Sequence, residues 1–370
     1  MKIVLIGAGG YGVTYLSIYE NYIDKEKHTL CAVVDPYADR SNSYTYITEH
    51  HIPVFQTLDD FYCHDTADLV IISSPIQFHK EQTLTAVRHG SHVLCEKPLT
   101  ARVEDALEMQ KAAREAGCKI GVGFQWSFND ANAKLRKDIQ SGLYGRPLCF
   151  KTCMSWPRPK EYFEGSTWKG RVFDKNSGSP IYDSIVTNAT AHYLHNLFFI
   201  AASQPRSFNY IIYRAYDIET FDTCVIKGVM ENGCEFFYGG TFVGEIKTDV
   251  VQELKFAHGT VRYGEGQDDF LKGYLNDGTV IDYGTMSGSR DVANKLIKMI
   301  ECIEHNTNPL CSVDEIVPYL SVCNQIFEKL DVTAFPREMI SDIGERLVVK
   351  GLWEKISTAF DQCELPASLL

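Results

Sequence analysis

No Cys-x-x-Cys pair occurs among the twelve cysteines, and the nearest two, Cys149 and Cys153, have no histidine or cysteine cluster beside them. That scatter argues against a structural zinc or any other metal centre, and it fits free thiols in a reducing cytosol. No stretch approaches the ~18 unbroken apolar residues that a membrane span requires. Met1-Lys2 runs straight into a short strand pattern, without the long apolar core of a secretory signal, so a cytoplasmic protein is expected. Positive charge is also in deficit. A formal net charge of -12 leaves no surplus of Lys and Arg for nucleic acid or an anionic membrane surface. What remains is ordinary globular material, 45% hydrophobic and 23% charged over 370 residues, long enough for two domains of about 100–200 residues each.

The N-terminal run Lys2-Ile3-Val4-Leu5-Ile6 is β-branched and apolar, and Gly7-Ala8-Gly9-Gly10-Tyr11-Gly12 follows it at once. A helix-period stretch comes next. Strand, G-x-G-x-x-G, helix is the context in which glycines cradle a pyrophosphate: Gly7 for the turn, Gly9 for close backbone approach, Gly12 for helix–strand packing. A second strand, Thr29–Val34, ends in Asp35, about 20 residues on, where an acid holds a ribose 2′-hydroxyl. A carboxylate there favours NAD, and nearby Arg40 leaves NADP open.

Strand and helix keep alternating. Asp68–Ser73 reads as a buried strand broken by Ser74-Pro75, His79 opens a helix that stops at Gly90, and His92–Cys95 is the next strand. A helix over about 104–116 and a strand over 119–124 complete a parallel, doubly wound sheet. The strand His92–Cys95 runs into Glu96-Lys97-Pro98, and Pro98 cannot continue a ladder. Glutamate and lysine thus stand at the carboxyl end of a strand, where open α/β sheets bind ligands. His79, just after a strand end, is a candidate contact on the cofactor side.

From Phe124 the rhythm changes. Residues 155–180 form an irregular loop rich in aromatics, Trp156, Tyr162, Phe163, Trp168 and Phe173, among basic residues; aromatic faces of that kind suit a sugar ring. Asn188, His192 and His195 fall at i, i+4 and i+7, a spacing that would turn all three to one cleft if the segment is helical. Imidazole, with an ordinary pKa near 6.5, is the natural acceptor of a hydroxyl proton. Asn232-Gly233, His258-Gly259 and Asp277-Gly278 are hairpin turns between strand-like runs, so 205–285 reads as a large, open, mainly antiparallel sheet. One face is expected under helices and the other at a subunit interface. Amphipathic helices follow near Asp291–Glu304 and Val313–Lys329, and the tail from Asp331 carries no chemistry that its pattern names.

Taken together, Gly7–Gly12, Asp35, Ser74-Pro75 with His79, and Val93-Leu94-Cys95-Glu96-Lys97-Pro98 resemble the Gfo/Idh/MocA family of nicotinamide-dependent oxidoreductases over roughly 1–330. The resemblance implies an N-terminal Rossmann domain over 1–124, an α+β substrate-binding and oligomerisation domain over 125–330, and an extension over 331–370 packed on the body. It also implies Lys97 as the catalytic lysine and His192 as general base, with Glu96 and Gln125 near the nicotinamide end. Asn188 stands where the family commonly has an aspartate, and His195 where it has another; Asp183 is near enough in sequence to supply the missing charge. The cofactor set is then Gly7, Gly9, Gly10, Tyr11, Gly12, Asp35, Ser74, Pro75, His79, Glu96 and Gln125. The substrate set is Lys97, His192, His195, Trp126 and Trp168. The expected activity is hydride transfer between NAD and a secondary hydroxyl of a sugar, polyol or glycoside, by a homo-oligomer (dimer or tetramer) joined through its C-terminal sheet. Two alternatives stand beside it: a glycosidase or lyase working by transient oxidation and elimination, and a non-catalytic sensor of dinucleotide or sugar.

Overall fold

The computed structural model describes residues 1–264, 266 and 268–370. The chain forms two compact units, Met1–Phe128 with Ser289–Val317 and Asn129–Gly288 with Pro318–Leu370.

In the first unit the expected apolar runs become parallel strands: β1 (Lys2–Ile6), β2 (Thr29–Val34), β3 (Val54–Phe55), β4 (Leu69–Ile72), β5 (His92–Cys95) and β6 (Ile120–Val122). Their order, β3-β2-β1-β4-β5-β6, is the doubly wound arrangement whose switch point lies between β1 and β4. Helices Gly12–Tyr22, His79–Arg88 and Val103–Glu115 connect them. Strand β3, two residues long, escapes any periodicity argument. A later segment returns to this unit: helix Ser289–Glu304 inserts Ala293, Leu296, Met299 and Ile300 into the core that holds Ile3, Leu5, Leu16, Leu69 and Leu94. Fully burying a side chain of this size contributes about 1.5–3 kcal/mol, so the helix is held firmly and its polar positions are fixed in place.

The second unit is built on nine strands: β7 (Pro147–Ser155), β8 (Pro205–Arg214), β9 (Thr223–Met230), β10 (Glu235–Thr241), β11 (Thr248–Phe256), β12 (Gly259–Tyr263), β13 (Phe270–Leu275), β14 (Val280–Thr285) and β15 (Thr333–Ala334). They run in the order β14-β13-β12-β11-β7-β10-β9-β8-β15. Pairing is antiparallel except at β7–β10 and β8–β15, as an open, mainly antiparallel sheet requires. Two of the expected turns fall where they should, with Gly233 and Gly278 at φ of 83° and 91°, while the third is formed by Ala257-His258 and Gly259 already opens β12 opposite Phe256.

At the sheet centre both faces of β10 are covered from within the unit. A Cβ on Gly239 would meet Ile356 of the C-terminal helix Leu352–Gln362 at 2.8 Å, and one on Gly240 would meet Ile185 at 3.1 Å. Cys153, Val225 and Phe237 share a core with Leu352, Ile356 and Phe360. The apolar face offered to a partner subunit on sequence grounds is thus covered, over these central strands, by the tail of the same chain. No helix among the described residues is long and apolar enough to cross a membrane.

Candidate functional site

The first unit carries a cleft at the carboxyl ends of its strands. Gly7 leaves β1 with a left-handed φ of 85°, and its N–H donates to the Val34 carbonyl at 3.0 Å. A Cβ on Gly12 would lie 1.9 Å from the Gly7 carbonyl oxygen, so only glycine lets the helix start so close to the strand. A Cβ on Gly9, by contrast, would meet no protein atom within 4 Å: this backbone faces open space that a ligand can use. Asp35, at the end of β2, accepts the Ala8 N–H on one oxygen and the Tyr37 N–H on the other, both at 2.8 Å. Gly7, Gly9, Gly10, Tyr11, Asp35, Ser74 and Pro75 line one cleft of about 730 Å³. Ser74 is fixed by a 2.5 Å hydrogen bond to Gln82. These features fit a dinucleotide: a glycine cradle that a side chain would fill, a helix N-terminus, and a carboxylate at the rim.

Behind the cleft, Glu96 is buried at the end of β5, only 8% exposed. Its carboxylate accepts the Tyr15 hydroxyl at 2.7 Å and pairs with the Lys295 ammonium. Lys295 is 1% exposed and also donates to the Tyr11 hydroxyl at 3.1 Å. Burial acts to lower the Lys295 pKa, but the Glu96 charge and Tyr11 outweigh it and leave that pKa above the usual lysine value. The Tyr15 hydroxyl is pushed well up by burial first and by the Glu96 charge second. Sequence reasoning missed Lys295, which reads there as one polar position of an amphipathic helix. Gly123 makes room for the pair, since a Cβ there would lie 2.8 Å from the Glu96 carboxylate.

Lys97 itself is half-buried, and its backbone N–H donates to Glu96 at 3.2 Å. His79 is buried, with one ring nitrogen 2.8 Å from the Ser74 carbonyl and the other 3.0 Å from that of Pro98. It ties the loop after β4 to the Glu-Lys-Pro loop and does not line the cleft. Burial lowers its pKa against the pull of those two carbonyls. Gln125 is half-buried, whereas Trp126, expected on the substrate side, is a core residue at 4% exposure.

The second unit holds the remaining predicted residues. The helix begins at Ala191, so Asn188 lies in the turn before it and not on its face. Asn188 donates to the buried Asp183 at 2.9 Å and to the Tyr162 hydroxyl at 3.4 Å, which joins the carboxylate singled out in the sequence to the aromatic loop. Asp183 also accepts the Gly170 N–H at 2.6 Å. Arg158 lies 4.9 Å and Lys169 4.2 Å from the centre of the Tyr162 ring, and Lys169 5.7 Å from that of half-buried Trp168. His192 is half-buried beside Tyr193. His195 lies in the core. It is fully buried between Phe199 and Tyr319, and burial, with the Arg136 charge second, pulls it down to about 3. A neutral core imidazole stands where the spacing suggested a substrate contact.

Residues 1–124 match a family model described as "Oxidoreductase family, NAD-binding Rossmann fold". Among curated relatives, a 2,7-anhydro-N-acetylneuraminate hydratase of Escherichia coli K12 is 29% identical over 194 residues, 52% of this chain and 46% of that protein. An inositol 2-dehydrogenase of Rhodococcus erythropolis is 32% identical over 150 residues, 40% of this chain and 42% of that protein. The chain thus spans less than half the length of these relatives. Among solved structures, the WlbA dehydrogenase of Bordetella pertussis, in complex with NADH and UDP-GlcNAcA, superposes with a TM-score of 0.72 at 20% identity, over 89% of this chain and 96% of that one. At that identity the likeness is one of fold.

Proposed function

We propose that the chain, whose residues 1–124 match the NAD-binding Rossmann model of the Gfo/Idh/MocA oxidoreductases, transfers a hydride between a nicotinamide dinucleotide and a secondary hydroxyl of a sugar, polyol or glycoside. The observation that carries this reading is the cleft of about 730 Å³ whose wall joins the glycine loop, Asp35 and the Ser74-Pro75 loop after β4, with Glu96-Lys97 at the end of β5, the strand beside β4. Asp35 repels a 2′-phosphate and so favours NAD. Bound there, NAD supplies the hydride-accepting ring.

The chain's own part is acid–base work and positioning. His192 takes the hydroxyl proton, and Asn188, anchored on Asp183, orients the imidazole. The Lys97 ammonium stabilises negative charge as it develops on the substrate oxygen. Trp168 and Tyr162, with cations against their rings, offer faces for a sugar. The test follows nicotinamide reduction by purified protein and NAD against a panel of sugars, inositols and glycosides, with Lys97→Met in parallel. Turnover is expected to vanish in the variant while NAD still binds; retained turnover overturns the assignment.

The likeness to a hydratase favours a second reading. Transient oxidation of a ring hydroxyl acidifies the neighbouring C–H and lets a substituent leave, after which water adds, the hydride returns to the ring carbonyl and the net outcome is redox-neutral. Product without NADH accumulation would select this reading over net dehydrogenation.

A further inference from the structure

Alternation along the strands puts Cys149 of β7, Lys227 of β9 and Glu235 of β10 on one face of the large sheet. Cys149 stands opposite Glu235, and Lys227 opposite Phe237, the next position on the same side. The helix Leu352–Gln362 covers that face and ends at Cys363, which takes a left-handed φ of 53° and donates its N–H to the Phe360 carbonyl at 3.2 Å. This brings the Cys363 Sγ to 2.9 Å from the Cys149 Sγ, across 214 residues of chain. Lys227 Nζ lies 3.1 Å from the Cys363 sulphur and 3.0 Å from the Glu235 carboxylate. Both thiols are half-buried, within reach of a small oxidant.

We propose that Cys149 and Cys363 form a reversible disulfide that fastens the C-terminal helix to the large sheet under oxidising conditions. The oxidant class is a peroxide. The Cys363 thiolate attacks one oxygen of hydrogen peroxide and becomes a sulfenic acid as hydroxide leaves. That hydroxide takes up the proton given off by the thiol and becomes water. The Cys149 sulphur then attacks the sulfenic sulphur, and a second water departs as the S–S bond forms. Two thiols and one peroxide give one disulfide and two waters; the sulphurs lose the two electrons that the peroxide oxygens gain.

The setting prepares Cys363 for the first step. The Cys149 thiol hydrogen-bonded to it, and after that the Lys227 ammonium, pull Cys363 down to about 6 against the opposing effect of burial. The same contact, with burial, drives Cys149 up, which leaves it as the proton-bearing partner. A thiol near 6 is about 30-fold more ionised at pH 7 than an ordinary one near 8.5. Cys149, Cys363 and Glu235 also place donor atoms within 4.8 Å of one another, as a metal site would. Lys227, lodged against both the Cys363 sulphur and the Glu235 carboxylate, opposes a cation there.

The experiment treats the full chain with a small excess of hydrogen peroxide, alkylates the remaining thiols, and maps peptides without reduction. The expected result is loss of two hydrogens in the intact mass and a linked peptide pair holding residues 149 and 363, undone by dithiothreitol. Cys363→Ser should leave Cys149 alkylatable, and Lys227→Met should keep the linkage but form it about tenfold more slowly at pH 7. Both thiols alkylated after oxidation, or a link to another cysteine instead, overturns the proposal. So does one equivalent of zinc copurifying and shielding both thiols. An unchanged rate in Lys227→Met refutes the activation of Cys363.

Discussion

Lys295→Met removes the ammonium that pairs with the buried Glu96 carboxylate. Glu96 would be left with the Tyr15 hydroxyl at 2.7 Å and the Lys97 N–H at 3.2 Å as its hydrogen-bond donors. Breaking a buried pair from one side costs about 3–5 kcal/mol, because the surviving charge keeps its desolvation penalty and loses its compensation. An attraction of about 4 kcal/mol for unit charges 4 Å apart at an effective dielectric of ~20 gives the same size. Methionine replaces most of the lysine stem, so little cavity cost is added. Adding Glu96→Gln removes the stranded charge, and the double variant should therefore recover about 2 kcal/mol or more relative to simple additivity. Urea unfolding of wild type, both single variants and the double variant, each without dinucleotide, measures that coupling. Dinucleotide titration should show weaker binding by Lys295→Met, since Tyr11 lines the cleft and loses its donor. Additive effects, within about 0.5 kcal/mol, would mean that Lys295 and Glu96 do not hold one another, and the reasoning would fall.

Gly12→Ala should weaken NAD binding about fivefold or more, because its Cβ would sit 1.9 Å from the Gly7 carbonyl and overpacking of that kind costs about 1–3 kcal/mol. An unchanged dissociation constant would show that the glycine loop does not set the binding geometry. Asp222 gives a pH test. It is buried, and burial raises it to about 6 against the N–H groups of Tyr216 and Ala215 and the Thr223 hydroxyl. A carboxyl raised in the folded state contributes stability that is full below its unfolded pKa near 4 and lost as pH climbs to about 6. The loss is on the order of 3 kcal/mol. Asn keeps an oxygen under the Ala215 and Tyr216 N–H groups and turns its NH2 to the Thr223 hydroxyl, which then accepts, all without that charge, so Asp222→Asn should gain stability over wild type at pH 7 but not at pH 4. A difference that is equal at both values would remove the titration from the account.

How far the sequence could be read follows from which interactions are local. Lys2–Ile6, Thr29–Val34 and His92–Cys95 were legible because each is an apolar run bounded by a turn signal, and the glycine loop because its spacing is itself the geometry. Asn188 misled because polar spacing suggested a helix. The Thr187 hydroxyl bonds back to the Tyr182 carbonyl and the Thr190 hydroxyl to that of Ile185, each at 2.5 Å, and they hold a turn until Ala191. His195 misled for a different reason. Helical period tells which residues are neighbours but not which face is wet, and Ala191–Ala201 is buried on nearly every side. Lys295 and Cys363 were beyond local reading altogether. They meet their partners across 199 and 214 residues, each carried there by a helix that packs on its own unit through apolar contacts. A lone lysine in an amphipathic helix reads as a solvent face until the core fixes where that face lies. The motif Glu96-Lys97-Pro98 announces where chemistry is done; the charge around Glu96 depends on a residue that only the completed fold brings to it.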